Sequence, residues 1–325
     1  FMLHLGSGVL AILLSQVTTS NLWFAVFLIY CLLFAPTAPL AESITLHKVE
    51  RCSAGYSRIR VWGTIGWIIA GICLSAYRWA AAKGVLPQLH GDLLIFGGFA
   101  SLLNAVNSIR YLEVKPGNRE GGKPTFWHLK ESLKNRNFQV FLLCNFLMGI
   151  ATTVGIVLTP LFFVSRDVGI SSNTLPALLC IAQVSEMLVM FLLLSKAIEH
   201  FGIKKVFLLG SLSQFLMFAI FALPCPAWLI ISTLGLHGFN FAFILINGII
   251  YVDRANSPRI RHTAQAFFSL TTMGLGNLIG SLASGQLYSI FTTPQGVDWN
   301  LLFIVPVALV ALQGIVFALF FRESN

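Results

Sequence analysis

The sequence contains a series of apolar runs, each long enough to cross a lipid bilayer as a helix. The clearest begins at Leu175 and reads LPALLCIAQVSEMLVMFLLLSK. About 20 apolar residues are needed to span the hydrocarbon core. Hydrophobic residues make up 56% of the 325-residue chain and charged residues only 10%, whereas about a quarter of a soluble domain is charged. The sequence therefore predicts an all-α membrane protein.

We predict ten transmembrane helices. They cover residues 2–20, 22–41, 58–77, 93–111, 138–163, 174–195, 204–222, 228–251, 264–291 and 300–321. Alternate loops hold all but three of the 21 Lys and Arg residues, the exceptions being Arg78, Lys83 and Arg166. Because cytoplasmic loops carry the excess of basic residues, this pattern predicts a multi-pass protein of the cell inner (cytoplasmic) membrane with both chain ends cytoplasmic. It also accounts for the net charge of +9, so nucleic acid is not expected as a partner.

No residue pattern points to catalysis, a metal or a cofactor. The six cysteines are scattered, mostly in apolar runs and without a CxxC pair, so we interpret them as small apolar side chains. The signatures GxxxxGK[ST], HExxH and GxSxG are absent from the sequence, which excludes the common motifs of ATP hydrolysis, zinc proteolysis and serine hydrolysis. We expect a protein that is not an enzyme and that uses no cofactor or metal.

Two polar side chains interrupt the run that begins at Leu175. Gln183 and Glu186 are three residues apart and therefore share one face of a helix. A carboxylate at this depth costs at least about 2.5 kcal/mol, so an intramembrane acid is a candidate for a substrate or ion pathway. The alternative is a glutamate that is protonated or hydrogen-bonded between packed helices.

A long polar segment divides the predicted spans. Residues 113–137 are rich in Gly, Pro and charge and are predicted to form a cytoplasmic linker. Four spans precede it, in residues 1–112, and six follow it, in residues 138–325. Transporters are commonly built from matched repeats. The chain begins at Phe1, inside an apolar run and without an initiator Met. We therefore expect two helices to be missing in front of Phe1.

One cytoplasmic loop, AIEHFGIKKVF, has an acid, a glycine and paired lysines in a recognisable order. The residues are Glu199, Gly202, Lys204 and Lys205. This loop resembles a degenerate copy of the signature that joins the second and third helices of each half in the major facilitator superfamily, although any short cytoplasmic turn tends to be basic. The resemblance implies a major-facilitator-type helix bundle, with residues 138–325 as the complete C-terminal half and residues 1–112 as helices three to six of the N-terminal half.

Four further stretches resemble the nucleoside:proton symporters, a branch of that superfamily. They are RIRVWGTIGWIIAG from Arg58, IAQVSEMLVMF from Ile181, IIYVDRANSPRIRHTAQAFF from Ile249 and PQGVDWNLLFI from Pro294. The resemblance implies a secondary active transporter that imports nucleosides by proton symport, with alternating access about a mid-membrane site. Its expected partners are a small-molecule nucleoside, protons and the lipid bilayer, and we expect it to be a monomer.

The same resemblance implies a set of substrate-binding positions. They are Arg60, Thr64, Trp67, Thr152, Gln183, Glu186, His237 and Phe241. The two aromatic side chains can stack on a base, and the polar ones can hydrogen-bond the base or the ribose. Simpler roles remain open, because Arg60 can snorkel to the interface and Trp67, Phe241 and His237 can serve in helix packing.

The sequence departs from the family pattern at three positions. Thr152 and Gly155 stand where the family has Gln and Asn, and Gln214 stands where it has Arg. Because a side-chain amide can pair with the edge of a nucleobase, the loss of two amides leaves the base preference open. The alternatives are a proton-coupled transporter of a sugar or other small polar solute, and a non-transporting sensor or truncated product.

Glu186 is also the predicted proton-coupling residue. Burial favours the neutral form of a carboxyl group, and we expect neutral Glu186 to favour substrate binding. Entry of the proton down its gradient supplies about 2.3 kcal/mol for each 100 mV of membrane potential.

Small residues predict where helices approach closely. Gly276, Gly280 and Ser284 recur at four-residue spacing, which gives the small-xxx-small face typical of tight membrane-helix contacts. Gly63 and Gly66 predict a similar face further towards the N-terminus.

Overall fold

The structure, a computed structural model, describes residues 1–37, 40–41, 54–109, 133–165, 167–257 and 260–322, and the side chains of residues 54–61 and 261–262 also lie outside this description. Internal contacts divide the chain into two compact units, Phe1–Glu120 and Gly121–Asn325. Both units are built from helices, and each is described by itself.

The described part of the first unit consists of α1 (Met2–Leu14), α2 (Ser20–Phe34), α3 (Ala54–Ala82) and α4 (Asp92–Ser108). Helix α1 packs on both α2 and α4. The second of these contacts is close because two glycines face each other. A Cβ atom on Gly8 would lie 3.0 Å from the carbonyl oxygen of Gly98. The hydroxyls of Ser7 and Ser101 hydrogen-bond across the same contact at 2.9 Å.

An ion pair joins the end of α3 to the start of α4. Arg78 donates from Nε to Asp92 Oδ2 at 2.5 Å and from Nη2 to Asp92 Oδ1 at 2.8 Å. The Tyr77 hydroxyl donates to the Pro87 carbonyl at 2.7 Å and accepts from the Leu89 amide at 3.1 Å. The hydrogen bond from Arg78 lowers the pKa of Asp92. The connection between α3 and α4 is therefore held by a bidentate ion pair between Arg78 and Asp92 and by the hydrogen bonds of Tyr77.

The remaining helices in the described residues belong to the second unit. In chain order they are α5 (Arg136–Val164), α6 (Leu175–Leu188), α7 (Leu194–Phe221), α8 (Ala227–Ser232), α9 (Leu234–Asn240), α10 (Asn247–Ala255), α11 (Arg261–Ser269), α12 (Asn277–Ile290) and α13 (Trp299–Phe320). Segments of π-helix lead from α6 to α7, from α9 to α10 and from α11 to α12. They are Val189–Leu193, Phe241–Ile246 and Leu270–Gly276. A hairpin of β1 (Thr292–Thr293) and β2 (Gly296–Val297) precedes α13.

Helix α7 is interrupted at Gly202, which has φ of +77° and ψ of 169°. A positive φ of this kind favours glycine because it has no Cβ. Just after the break, the Ile203 carbonyl accepts a hydrogen bond at 3.0 Å from Nδ2 of Asn247 in α10, and Lys204 Nζ donates to the Ala318 carbonyl at 2.8 Å. The loop that resembles the superfamily signature is thus hydrogen-bonded to both α10 and α13.

Six helices in the described residues are long and apolar enough to cross a membrane. They are Trp62–Ala82, Arg136–Val164, Leu175–Phe221, Ala227–Ala255, Thr263–Ile290 and Trp299–Phe320. The 47-residue helix Leu175–Phe221 contains the two predicted spans on either side of Gly202. Helices α1 and α2 are apolar but shorter, with 13 and 15 residues. The prediction of a multi-pass helical membrane protein is confirmed, whereas the count of ten spans is not.

Phenylalanines from α5, α7 and α13 form the core of the second unit. The rings of Phe207 and Phe317 stack with centroids 3.9 Å apart. In another layer of the core, the ring centroid of Phe162 on α5 lies 5.3 Å from that of Phe221 on α7 and 5.2 Å from that of Phe303 on α13. Lipid tails are as apolar as these rings, so shape fit and ring–ring contacts hold this layer together rather than removal from water.

Small residues bring α5 and α12 together. A Cβ atom on Gly280 would lie 2.7 Å from Cβ of Thr153, and one on Gly276 would lie 3.4 Å from Cα of Gly149. Ser284 is fully buried, and its hydroxyl donates to the Gly280 carbonyl at 2.7 Å. The predicted small-residue face is confirmed, and it is occupied by a neighbouring helix.

Candidate substrate and proton site

Helix α6 carries the polar pair that interrupts its apolar sequence. It begins with Pro176 in its first turn, where the missing backbone N–H would have had no partner within the helix. Glu186 is only 9% exposed, and Gln183, one turn earlier, is half-buried. The carboxyl group thus lies within the packing of the second unit.

An unusually close contact joins α6 to α9. The Ser185 hydroxyl donates to the Gly235 carbonyl. A Cβ atom on Gly238 would lie 2.4 Å from the Ser185 carbonyl carbon and 2.5 Å from the Glu186 nitrogen. Only glycine allows this approach, because real Cβ atoms do not come so near to backbone. The residues next to this contact are Glu186 on α6 and His237 on α9.

His237 and Phe241 belong to the same stretch of chain. His237 lies in α9, and Phe241 is the first residue of the following π-helical segment. Both are half-buried, and their spacing of four residues puts them on one face. The π-helical segment of α6 also starts close to the site, at Val189, three residues after Glu186. Such segments occur frequently at functional sites.

Helix α5 meets α9 through a buried asparagine. Nδ2 of Asn240, which is 4% exposed, lies 3.5 Å from Sδ of Met148. Thr152 is half-buried four residues after Met148 and therefore shares its face of α5. Its neighbour Thr153 faces α12 instead, where its hydroxyl donates to the Asn277 side chain at 2.9 Å.

Two of the departures from the family pattern lie side by side. A Cβ atom on Gly155 would lie 2.8 Å from Cε1 and Cζ of Phe218 and 3.9 Å from Nε2 of Gln214. Gln214 is 2% exposed, and its Oε1 is buried without a hydrogen-bond partner in the described residues. Position 155 therefore points at α7, where the Phe218 ring fills the space that a side chain would need.

The other predicted binding residues lie on α3, in the first unit. Trp67 is 66% exposed and Thr64 is half-buried. Arg60 belongs to the same helix, but its side chain lies outside the described part of the chain. A Cβ atom on Gly63 or Gly66 would meet no described atom within 4 Å, so the small-residue face expected on α3 stays a prediction.

Five of the eight predicted positions thus lie in the second unit. They are Thr152 on α5, Gln183 and Glu186 on α6, His237 on α9, and Phe241 directly after α9. Ser185, Gly238 and Asn240 join these helices, although no sequence pattern predicts a role for them. The local sequence signal that could have indicated one of them is in the stretch HGFNF, where the amide of Asn240 follows His237 by one helical turn in an apolar run. Among the described residues, no group of three or more His, Cys, Asp or Glu side chains is placed to hold a metal ion.

Comparison with known proteins identifies the family. A family model described as "Nucleoside H+ symporter" matches residues 1–325. The chain belongs to the nucleoside H+ symporter family. Its members are transporters, so the expectation of a protein that is not an enzyme is confirmed.

Several known proteins are similar to this chain over nearly its whole length. The putative nucleoside transporter YegT of Escherichia coli is 29% identical over 96% of this chain and 75% of its own length. The nucleoside permease NupG of the same organism is 24% identical over 99% of this chain and 79% of its own length. The xanthosine permease of Escherichia coli is 25% identical, over 96% and 77%.

The fold matches that of a solved nucleoside transporter. The crystal structure of the nucleoside transporter NupG superposes with a TM-score of 0.80 at 23% identity, covering 99% of this chain and 82% of that one. A crystal structure of a mutant of NupG gives a TM-score of 0.82 at 24% identity, with the same coverage of both chains. The helical membrane-transporter fold expected from the sequence is therefore present.

Proposed function

We propose that this protein imports nucleosides together with protons through a site that includes the buried carboxyl group of Glu186. Membership of the nucleoside H+ symporter family supports proton-coupled nucleoside transport, and the transporter fold implies alternating access. The observation that carries the assignment of the site is the 9% exposed Glu186 on α6, next to the close contact with Gly238. A carboxyl group in this position is a candidate proton carrier.

The residues predicted from the sequence are proposed to bind the substrate. They are Arg60, Thr64, Trp67, Thr152, Gln183, Glu186, His237 and Phe241. Stacking of a base on Phe241 or Trp67 is worth about 1–3 kcal/mol by analogy with single-stranded nucleic acid. Gln183 offers a donor and an acceptor, which suit the edge of a base or the hydroxyls of a ribose.

Glu186 is proposed to couple the two fluxes. Glu186 is buried, and burial favours the neutral form of a carboxyl group, so the neutral acid is the form expected in the loaded transporter. Proton binding would then favour nucleoside binding, and release of both on the cytoplasmic side would complete the cycle. The driving force is the proton gradient, worth about 2.3 kcal/mol for each 100 mV.

The organisation of the molecule in the membrane follows from the same family pattern. We propose ten spans, with residues 1–112 belonging to an N-terminal half, residues 113–137 as a cytoplasmic linker and residues 138–325 as the C-terminal half. The distribution of Lys and Arg supports an inner-membrane protein with both ends of this chain in the cytoplasm. The proposed working unit is a monomer.

Uptake by proteoliposomes tests this function. The purified protein would be given a panel of tritiated nucleosides and sugars under an inward proton gradient, with and without a protonophore. We expect accumulation of at least one nucleoside, and we expect the protonophore to abolish it. Accumulation of a sugar with no uptake of nucleosides would contradict the proposal and favour the alternative of another small polar solute.

A further inference from the structure

Asn240 occupies a central place among the helices that carry the candidate site. It is the last residue of α9, three residues after His237 and immediately before Phe241. It is 4% exposed, and its side chain reaches Met148 on α5. The helix that bears it is also the one against which α6 packs through Ser185 and Gly238. None of the sequence patterns assigned Asn240 a role.

The hydrogen bonding of Asn240 sets it apart from the other buried asparagines in the described residues. Asn145, Asn247 and Asn256 each donate from Nδ2 to a backbone carbonyl, at 2.8, 3.0 and 2.8 Å. Asn240 instead donates to the thioether of Met148 at 3.5 Å. Thioether sulfur is a weak acceptor, and buried amides are normally well paired. Among the buried asparagines of the described residues, the Asn240 side-chain NH2 group is therefore the one with the weakest acceptor.

The position of Met148 shows which face of α5 the amide approaches. Met148 and Thr152 are four residues apart and share a face of α5, and Thr152 is a predicted binding position. On α9, His237 and Phe241 flank Asn240 in sequence. Asn240 thus lies where the α5 and α9 parts of the candidate site meet.

We propose that Asn240 is a specificity-determining residue that hydrogen-bonds the nucleobase when substrate is bound. This inference rests on the proposed function. A side-chain amide presents one donor beside one acceptor, the arrangement that pairs with a base edge offering the complementary two groups. When substrate binds, the Asn240 amide gives up its weak hydrogen bond to Met148 and forms two hydrogen bonds with the base edge instead. It thereby supplies from α9 an amide in a site where Thr152 provides none.

Replacement of Asn240 by an apolar residue of similar size tests this role. We expect Asn240→Leu to raise the KM for the preferred nucleoside roughly 5- to 150-fold, the value of one bidentate pair with a base. The dependence of uptake on the proton gradient should persist, because Glu186 is untouched. Asn240→Asp, which offers only acceptors when ionised, should change the order of preference among adenosine, inosine, uridine and cytidine.

Asn145→Leu is the matched control. Asn145 is also buried, at 3% exposed, but its Nδ2 is bound to the Phe141 carbonyl within its own helix. This variant should keep the parent's order of preference even where it lowers stability. Melting temperatures without nucleoside, and the rise produced by added nucleoside, would be recorded for all variants. Ligand stabilisation reports binding independently of turnover, so a folded but inactive Asn240 variant remains informative.

The outcomes separate this inference from the function on which it rests. If the parent takes up no nucleoside, the proposed function and the role of Asn240 are both overturned. If the parent takes up nucleosides and Asn240→Leu has the parent's KM and order of preference, only the role of Asn240 is overturned. An equal loss of ligand stabilisation in Asn240→Leu and Asn145→Leu would also overturn it, because the effect would then be structural.

Discussion

A Cβ atom placed on Gly238 would lie 2.5 Å from the backbone nitrogen of Glu186. The atoms in the way belong largely to the backbone of α6, so a rotamer change cannot relieve the overlap. The glycine therefore sets how closely α9 approaches the helix that carries the proposed proton site.

We expect Gly238→Ala to separate α6 from α9 and to lower the free energy of unfolding by about 1–3 kcal/mol, as overpacking usually does. Nucleoside uptake should fall with it, because Glu186 and His237 are displaced relative to each other. Thermal unfolding of the purified protein and uptake by proteoliposomes are the measurements. Gly235→Ala is the control, since its Cβ would meet nothing within 4 Å. Equal effects of the two substitutions would show that the contact at Gly238 has no special role.

Glu186→Gln is expected to remove proton-driven accumulation of nucleoside while leaving exchange across the membrane. The amide matches the neutral acid in shape but cannot release a proton. Uptake under a proton gradient and counterflow without one would be compared in the same liposomes. The control is Glu199→Gln, which changes an exposed carboxylate near Gly202. Accumulation by Glu186→Gln at the parent's level would exclude this residue as the coupling group.

Restoring an amide at position 155 is expected to be harmful unless Phe218 is also changed. Gly155→Asn alone should cost about 1–3 kcal/mol of stability, because its Cβ would lie 2.8 Å from the Phe218 ring. Combined with Phe218→Leu, the loss should be smaller than the sum of the two single losses, with a coupling of about 0.5–3 kcal/mol. Melting curves of the four proteins measure this coupling. Additive losses would mean that the two side chains do not compete for the same space.

Sequence patterns predicted the features of this molecule that repeat along the chain. Hydropathy and the distribution of charge predicted a multi-pass helical membrane protein, and the family motifs predicted the transporter fold; both are confirmed. The spacing of Gln183 and Glu186 placed them on one helix, and the small residues Gly276 and Gly280 indicated a close helix contact. Each of these signals is local, because it depends on residues within one or two helical turns.

The contacts that assemble the candidate site are not local, which is why they were missed. Gly238 is one glycine among 27, and only the packing of α6 distinguishes it. The π-helical segments at Val189 and Phe241 depend on backbone hydrogen bonds that have no simple sequence signature. The relation between Gly155 and Gln214 likewise arises only when α5 and α7 pack. Both residues depart from the family pattern, but nothing in the sequence connects them.

Stability in acid tests the ion pair between Arg78 and Asp92. The pKa of Asp92 is lowered in the folded protein by the hydrogen bond from Arg78, so the pair stabilises the fold above the unfolded-state pKa of about 3.9. This contribution should be lost as the pH falls through the lower, folded-state pKa. Asp92→Asn should therefore be less stable than the parent at pH 7, by about 1 kcal/mol for a partly exposed pair, and the difference should shrink below about pH 4.

Melting temperatures of the parent and Asp92→Asn between pH 7 and pH 3 measure the effect of this ion pair. Arg78→Gln is the matched variant, since it removes the other partner of the same two hydrogen bonds. It should give a similar loss at pH 7, and the double variant should lose little more than either single one. A difference between parent and Asp92→Asn that stays constant down to pH 3 would show that the carboxylate charge contributes nothing, leaving Tyr77 and its bonds to Pro87 and Leu89 to hold the connection between α3 and α4.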